Sequence, residues 1–238
     1  MKPLEAQLLR QTERSRDFFW HRLRWDAVRG YLPEDRPFDL IDVGAGAGLL
    51  GRFLERDRPL GTYRFIEPIH SLERFLEGAY GKERNAKSLQ VFERIEYVTL
   101  LDVLEHQRDD RGFLRALIDR MGVGARLFVT VPAFTGLWSG WDVALGHHRR
   151  YDRRALAETW QGLPVRVLEL TYLFPELIPA AMLRRLRRGV VRHASETAFP
   201  DLPRALNEAL YQVGRVTLRF RSWWPGGTSA FAALEKRP

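Results

Sequence analysis

Short apolar runs recur along this chain at intervals that leave room for a helix between them. Phe38 to Val43, Tyr63 to Ile66, Ile95 to Leu101 and Ala125 to Pro132 carry few polar side chains, as strands buried on both faces of a parallel sheet do. A further run, Leu89 to Phe92, predicts a strand just ahead of the Ile95 run. Between the runs, apolar residues return every three or four positions and predict helices over Leu49 to Arg56, Ser71 to Tyr80 and Gly112 to Met121. Strand and helix alternating in this way imply an α/β, doubly wound, Rossmann-like sheet with a ligand crevice at the carboxyl ends of its strands.

The flanking segments follow other patterns. Phe18, Phe19, Trp20, Leu23, Trp25, Ala27 and Val28 lie at roughly helical spacing among charges and predict an N-terminal helical cap. Phe19, Trp20 and His21 either pack on the sheet or wall the mouth of a site. The stretch after Pro132 is too polar and aromatic for a buried strand, and a helix over Asp152 to Trp160 follows it. Val165 to Thr171 alternates as a strand with one mixed face. Pro200 to Val216 sets Leu202, Leu206, Leu210, Val213 and Val216 on one helical face, suited to pairing with the apolar insertion before it, and Thr228 to Glu235 predicts the last strand. The organisation expected is a single domain over 1–238: a helical cap (1–34), a ligand-binding core (35–135), a covering segment (136–164), and C-terminal strands with an amphipathic helical insertion (165–238).

With 238 residues and 45% hydrophobic content, the chain can bury one substantial core. It has no cysteine, which excludes disulfides, thiolate metal sites and a thiol nucleophile and is compatible with a reducing cytoplasm. Its start lacks the apolar run of a secretory signal, and no stretch reaches eighteen uninterrupted apolar residues, so a cytoplasmic chain, soluble or peripheral to a membrane, is expected. The net charge of +8 favours phosphate-bearing partners without saying which. Leu173 to Leu183, broken by Glu176 and two prolines, is too short to span a bilayer. Beside Arg184, Arg185, Arg187 and Arg188 it could lie in the headgroup region of an anionic membrane, or pack on the core with a solvated basic end.

The chemistry gathers where the Phe38 run stops, at Asp42-Val43-Gly44-Ala45-Gly46-Ala47-Gly48. Glycine lets the backbone bend tightly and lets a ligand approach the main chain, while the helix that follows presents unpaired N–H groups at the turn. The Tyr63 run ends in Glu67-Pro68, where a carboxylate at the tip of the next strand can accept hydrogen bonds from a ribose diol. Read as Gly46-x-Gly48-x-x-Gly51, the turn satisfies a dinucleotide pattern, and Glu67 suits NAD as well as an adenosyl ribose. Read as Asp42-x-Gly44-x-Gly46-x-Gly48, it resembles the first motif of the class I S-adenosylmethionine-dependent methyltransferases.

Two more segments carry that resemblance, which extends from Phe19 nearly to the C-terminus. Leu101-Asp102-Val103-Leu104-Glu105-His106 is similar to the post-strand motif of methyltransferases from ubiquinone biosynthesis and related small-molecule branches. The Trp138-Ser139, Ala144-Leu145-Gly146-His147 and Arg149-Arg150-Tyr151 segments are similar to a branch whose acceptors are often unassigned. The resemblance implies S-adenosylmethionine as cofactor and a strand inserted antiparallel near the sheet edge, for about seven strands with the last antiparallel. It places Asp42 by the methionine ammonium group and Gly44, Ala45, Gly46, Gly48, Glu67, Pro68 and Asp102 around the cofactor. Asn85 falls roughly where many relatives carry an acidic residue for the adenine amino group. In some relatives, groups at the positions of Asp102, Glu105 and His106 bind a divalent cation or orient the acceptor; here they suit an ordinary ion network equally, and no metal is expected.

For the acceptor, His106 or His147 is the expected base. Trp138 and Trp141 are expected to stack on a sugar or ring, and Trp20 is expected on the acceptor side at the mouth of the site. His148, Arg149, Arg150 and Tyr151 could hold a phosphate or carboxylate, unless the arginines pair with Asp142 and Asp152 instead. The function expected is methyl transfer, at oxygen, to a small molecule or a lipid- or phosphate-linked glycan. The alternatives are an RNA methyltransferase, a non-catalytic nucleotide-binding protein and, more weakly, an NAD oxidoreductase. A nucleic-acid acceptor has the basic charge in its favour but neither an RNA-binding module nor an Asn/Asp-Pro-Pro-aromatic motif.

Overall fold

A computed structural model of the chain describes Glu5 and residues 17–86, 95–186 and 202–238. In order, α1 (Phe19–Arg29), β1 (Phe38–Val43), α2 (Leu49–Asp57), β2 (Gly61–Ile66), α3 (His70–Tyr80), β3 (Tyr97–Leu101), α4 (Asp110–Arg120) and β4 (Arg126–Pro132) build the predicted core. After them come α5 (Gly140–Leu145), α6 (Arg153–Glu158), β5 (Val165–Leu173), α7 (Ile178–Leu186), α8 (Arg204–Arg219) and β6 (Ser229–Lys236). Among the described residues six strands form one sheet in the order β2-β1-β3-β4-β6-β5. Strands β1 to β4 are parallel, and β6 runs antiparallel to both β4 and β5, as expected of the last strand. The strand predicted over Leu89 to Phe92, with Arg187 and Arg188, lies outside the described residues.

Consecutive strand residues point to opposite faces, which is why the apolar runs are continuous. Leu40, Tyr97, Phe128 and Phe231 meet Leu23 and Val28 of α1 and Leu50 and Phe53 of α2 on one face. Ile41, Val98, Leu127 and Val129 meet Leu114 and Ile118 of α4 and Leu156 of α6 on the other. Burying side chains of this size contributes roughly 1.5–3 kcal/mol each, and the two layers hold the sheet between its helices. Because β1, β3 and β4 are parallel, their carboxyl ends open on one edge, and that edge receives the glycine turn, the Asp102 loop and the covering segment. A backbone bridge between Ala133 and Tyr151 draws the covering segment back against the end of β4.

Helix α8 meets the insertion, as expected, where the Thr217 hydroxyl donates to Glu176 at 2.9 Å, and it meets the N-terminal cap as well. It packs on α1 of the cap: the Asn207 side-chain oxygen accepts a hydrogen bond from Phe19 N at 2.9 Å, and the Tyr211 hydroxyl donates to Asp26 at 2.8 Å. At Gly214 the helices are so close that a Cβ would stand 2.1 Å from Leu23. Among the described residues, no helix is long and apolar enough to cross a membrane.

Candidate active site

The chain leaves β1 through Gly44, Gly46 and Gly48, whose φ angles of 75°, 55° and 67° lie in the left-handed region. A Cβ on Gly44 would stand 2.5 Å from Val103 Cγ2, so the turn is pressed directly on the loop after β3. At the tip of β2, Glu67 accepts hydrogen bonds from Gly46 N at 2.7 Å and Ile69 N at 2.8 Å. Burial pushes its carboxyl up, and those two N–H groups oppose the shift. Beneath the turn, the buried Asp42 accepts from Thr99 Oγ1 at 2.7 Å and the Tyr63 hydroxyl at 3.1 Å.

A second wall rises from the ends of β3 and β4. Asp102 adopts a φ of 57° and turns its carboxylate onto Arg24 of α1 at 3.0 Å and Thr130 Oγ1 at 3.0 Å. Glu105 is 0% exposed, and beyond its own backbone N–H neither carboxyl oxygen has a hydrogen-bond partner. Burial, followed by the charge of Asp102, pushes that carboxyl well above the carboxylate range. The rings of His106 and His147 meet edge to face at 4.8 Å, and burial together with His147 pushes His106 down to about 4.

The buried Asp142 organises the covering segment. Its carboxylate lies 2.9 Å from His147 Nδ1, accepts Arg150 at 2.7 and 3.1 Å, and accepts Ser139 N at 2.9 Å. Burial works against its charge, yet the hydrogen bonds from His147 and Arg150 outweigh burial and hold the carboxyl down at about 2. An ionised carboxylate only accepts, so Nδ1 of His147 carries a proton and Nε2, 3.9 Å from Glu105 Oε1, is the nitrogen left to act as a base. One cavity of about 530 Å³ joins both walls, with Asp42, Gly44 and Glu67 at one end and Glu105, His106 and His147 at the other.

Residues 13–170 match the Methyltransferase domain family. The chain belongs to that family. A curated relative, the tRNA U34 carboxymethyltransferase of Alteromonas mediterranea, is 26% identical over 126 residues, covering 48% of this chain and 38% of that protein. The chain thus spans well under half the length of that relative. The complex between the Haloferax volcanii Trm112 methyltransferase activator and a methyltransferase contains a chain that superposes with a TM-score of 0.62 at 12% identity, covering 99% of this chain and 98% of that one. Phosphoethanolamine N-methyltransferase 2 of Haemonchus contortus, solved with S-adenosylhomocysteine, superposes at 0.56 and 11% identity over 90% of this chain and 52% of that one.

This methyltransferase domain takes S-adenosylmethionine as its methyl donor. Of the residues expected around the cofactor, Asp42, Gly44, Ala45, Gly46, Glu67, Pro68 and Asp102 line the cavity. Gly48 and Asn85 do not line it; the Asn85 amide donates to Glu73 and Glu77, both at 2.9 Å, which ties it to α3. On the acceptor side Trp20, His106, His147 and Arg150 line the cavity, whereas Trp138, His148, Arg149 and Tyr151 do not. Arg150 is engaged by Asp142, while Arg149 and the Tyr151 hydroxyl both bind Asp110 at 2.8 Å. Asp152 does not pair with these arginines; its side chain caps α6 by accepting Ala155 N.

Arg24, and the role of Asp142 toward His147, escaped sequence reasoning, which named Asp142 only as a partner for the arginines. Arg24, buried among aromatic residues, carries a signal only as a charge on the apolar face of α1. Asp142 orients His147 from five residues upstream, across the end of α5, where no helical or strand period relates them. For a metal, Glu105, His106 and His147 each offer a ligand atom within 4.8 Å of the others, and His147 stands where Asp102 was considered, since Arg24 holds Asp102.

Burial pushes Asp42 up to about 6 against the hydrogen bonds from Thr99 and Tyr63. Its folded value lies above the ordinary 3.8, so folding stability from this group is full below pH 4 and is lost as pH rises through about 6. Two units correspond to about 3 kcal/mol. We expect Asp42→Asn to be more stable than the parent by up to that amount at pH 7, with the gain vanishing near pH 4, as urea unfolding across that range will show. Taking the difference from the parent removes His106, which titrates in the same window with the opposite sign.

Proposed function

We propose that the domain methylates a hydroxyl oxygen of a small molecule or a lipid- or phosphate-linked glycan, with His147 as the base. The observation that supports this is one continuous cavity in which the glycine turn and Glu67 face an imidazole oriented by a buried carboxylate. Asp42, the turn and Glu67 bind the cofactor at one end. S-adenosylmethionine supplies an electrophilic methyl group, so the chain's task is to align the acceptor oxygen with it, an effect that can supply several kcal/mol. As the new carbon–oxygen bond forms and the carbon–sulfur bond breaks, His147 Nε2 takes the hydroxyl proton while Asp142 stabilises the resulting imidazolium. S-adenosylhomocysteine leaves as the second product.

The experiment is transfer of labelled methyl from S-adenosylmethionine to a total lipid extract, to a pool of polar metabolites and to tRNA, each offered separately. Label in the lipid or metabolite fraction supports the proposal, and His147→Ala is expected to lower it by about 10²–10⁴-fold with S-adenosylhomocysteine affinity changed less than about twofold. A second reading, RNA methylation, is favoured by the Alteromonas relative, a tRNA U34 carboxymethyltransferase, and by the net charge of +8. Label confined to tRNA would establish it in place of the first.

A further inference from the structure

The exposed large apolar residues of the described chain are not scattered. Of twelve, only Leu60, Val123, Val143 and Val167 lie outside the α7 to β6 region; the other eight fall between Met182 and Trp224. On α8, Leu206, Val213 and Val216 are exposed at spacings of seven and three, and Phe220 and Trp223 continue the stripe past the helix end. Trp223 is 80% exposed. The opposite side of α8, through Asn207, Tyr211 and Gly214, is already packed on α1, so the stripe is surplus to the core. Contiguous apolar surface of this kind marks an interaction site.

The charges beside the stripe are predominantly positive, three arginines against one acid on α8. Arg204, Arg215 and Arg219 are exposed, and none has an ion-pair partner among the described residues, while the acid on that helix, Glu208, is bound to Arg22 at 2.7 Å. Met182, Leu183 and Arg185 repeat the combination on α7. An apolar stripe edged by arginines, with a tryptophan at its end, suits an anionic bilayer, where the apolar side chains enter the headgroup boundary and the guanidinium groups reach phosphates. The same two helices border the cavity through Ala180, Ala181 and Leu210.

We propose that α7, α8 and the turn through Trp223 form a docking surface for an anionic lipid bilayer, with the mouth of the methyltransferase cavity beside the headgroups. It rests on the lipid-linked reading of the acceptor and gives that acceptor a route to His147 without leaving the membrane.

The test is co-sedimentation of the full chain with vesicles of phosphatidylcholine alone and of phosphatidylcholine mixed with phosphatidylglycerol. The three arginines of α8 alone, near an anionic surface, predict partition into the mixed vesicles at least about a hundredfold stronger than into the neutral ones, weakening as salt is raised. The pair Val213→Asp with Val216→Asp is expected to reduce partition at least about tenfold. Arg215→Glu with Arg219→Glu is expected to remove the preference for the mixed vesicles. Titration with S-adenosylhomocysteine reports separately on fold and cofactor site in every variant, so a failure of the methyltransferase reading appears there and not in the vesicle data. Equal partition into both vesicles, no partition, or indifference to both variant pairs would overturn the proposal. So would sedimentation velocity showing a dimer, or a complex with an activator protein, that the Val213/Val216 pair dissolves while vesicles are ignored.

Discussion

Gly44→Ala is expected to lower the affinity for S-adenosylhomocysteine at least about thirtyfold and the melting temperature by roughly 4–15 °C. Two costs combine at this position. With φ at 75°, any side chain sits in the left-handed region, at about 1–2 kcal/mol. The new Cβ would also stand 2.5 Å from Val103, and forcing atoms into a packed contact costs typically about 1–3 kcal/mol. The turn yields by lifting from the Val103 loop, and that movement pulls Gly46 N from Glu67, the contact that shapes the cofactor end of the cavity. Adding Val103→Ala removes the contact but leaves the backbone strain, so the double variant should recover part of the loss. Calorimetric titration of the three proteins checks both statements, and parental affinity in Gly44→Ala alone would show that the turn does not seat the cofactor.

Asp142→Ala is expected to cost about 3–5 kcal/mol of folding stability, because it removes the carboxylate paired with the largely enclosed guanidinium of Arg150 and leaves that cation only the Ala133 carbonyl at 3.0 Å and the more distant carboxyl of Glu105. His147 and the Ser139 N–H lose their acceptor at the same time. The folded value near 2 lies below the ordinary 3.8, so this contribution is complete above about pH 4 and is lost progressively as pH falls from there through 2. Denaturant unfolding at pH 7 and pH 3 should therefore show a gap between parent and variant that narrows at the lower pH. Asp142→Asn keeps an acceptor oxygen without the charge and should fall between the two in stability. It should still impair methyl transfer, since a neutral amide stabilises the imidazolium poorly and can present its NH₂ to Nδ1. Equal stability of Asp142→Ala and the parent would mean that Arg150 finds another partner and that His147 is not held as described.

The local patterns of this chain carry the fold because burial imposes a period. A strand covered on both faces must be apolar throughout, as β1 and β4 are, and a helix on the sheet must be apolar on one side, as α2 and α4 are. The glycines were legible for a related reason: a turn pressed against Val103 with positive φ admits little else, and Glu67 follows at the tip of the next strand. These features answer to forces acting within a few residues. Pairings of charged groups do not. Arginine can meet any carboxylate the fold brings near, so the chain's own order offered Asp142 and Asp152 alike to Arg149 and Arg150; that Arg150 takes Asp142 while Arg149 turns to Asp110, and that Arg24 reaches across 106 positions to Thr130, was left to the fold. Likewise the apolar side of α8 announced its pairing with the insertion but not its packing on α1, because α1 offered an equally apolar surface. Which strand ends share an edge, and which helix face is left over once the layers close, are properties of the assembled sheet; they decided that His147 stands oriented over the cavity and that the Leu206 to Trp223 stripe faces outward.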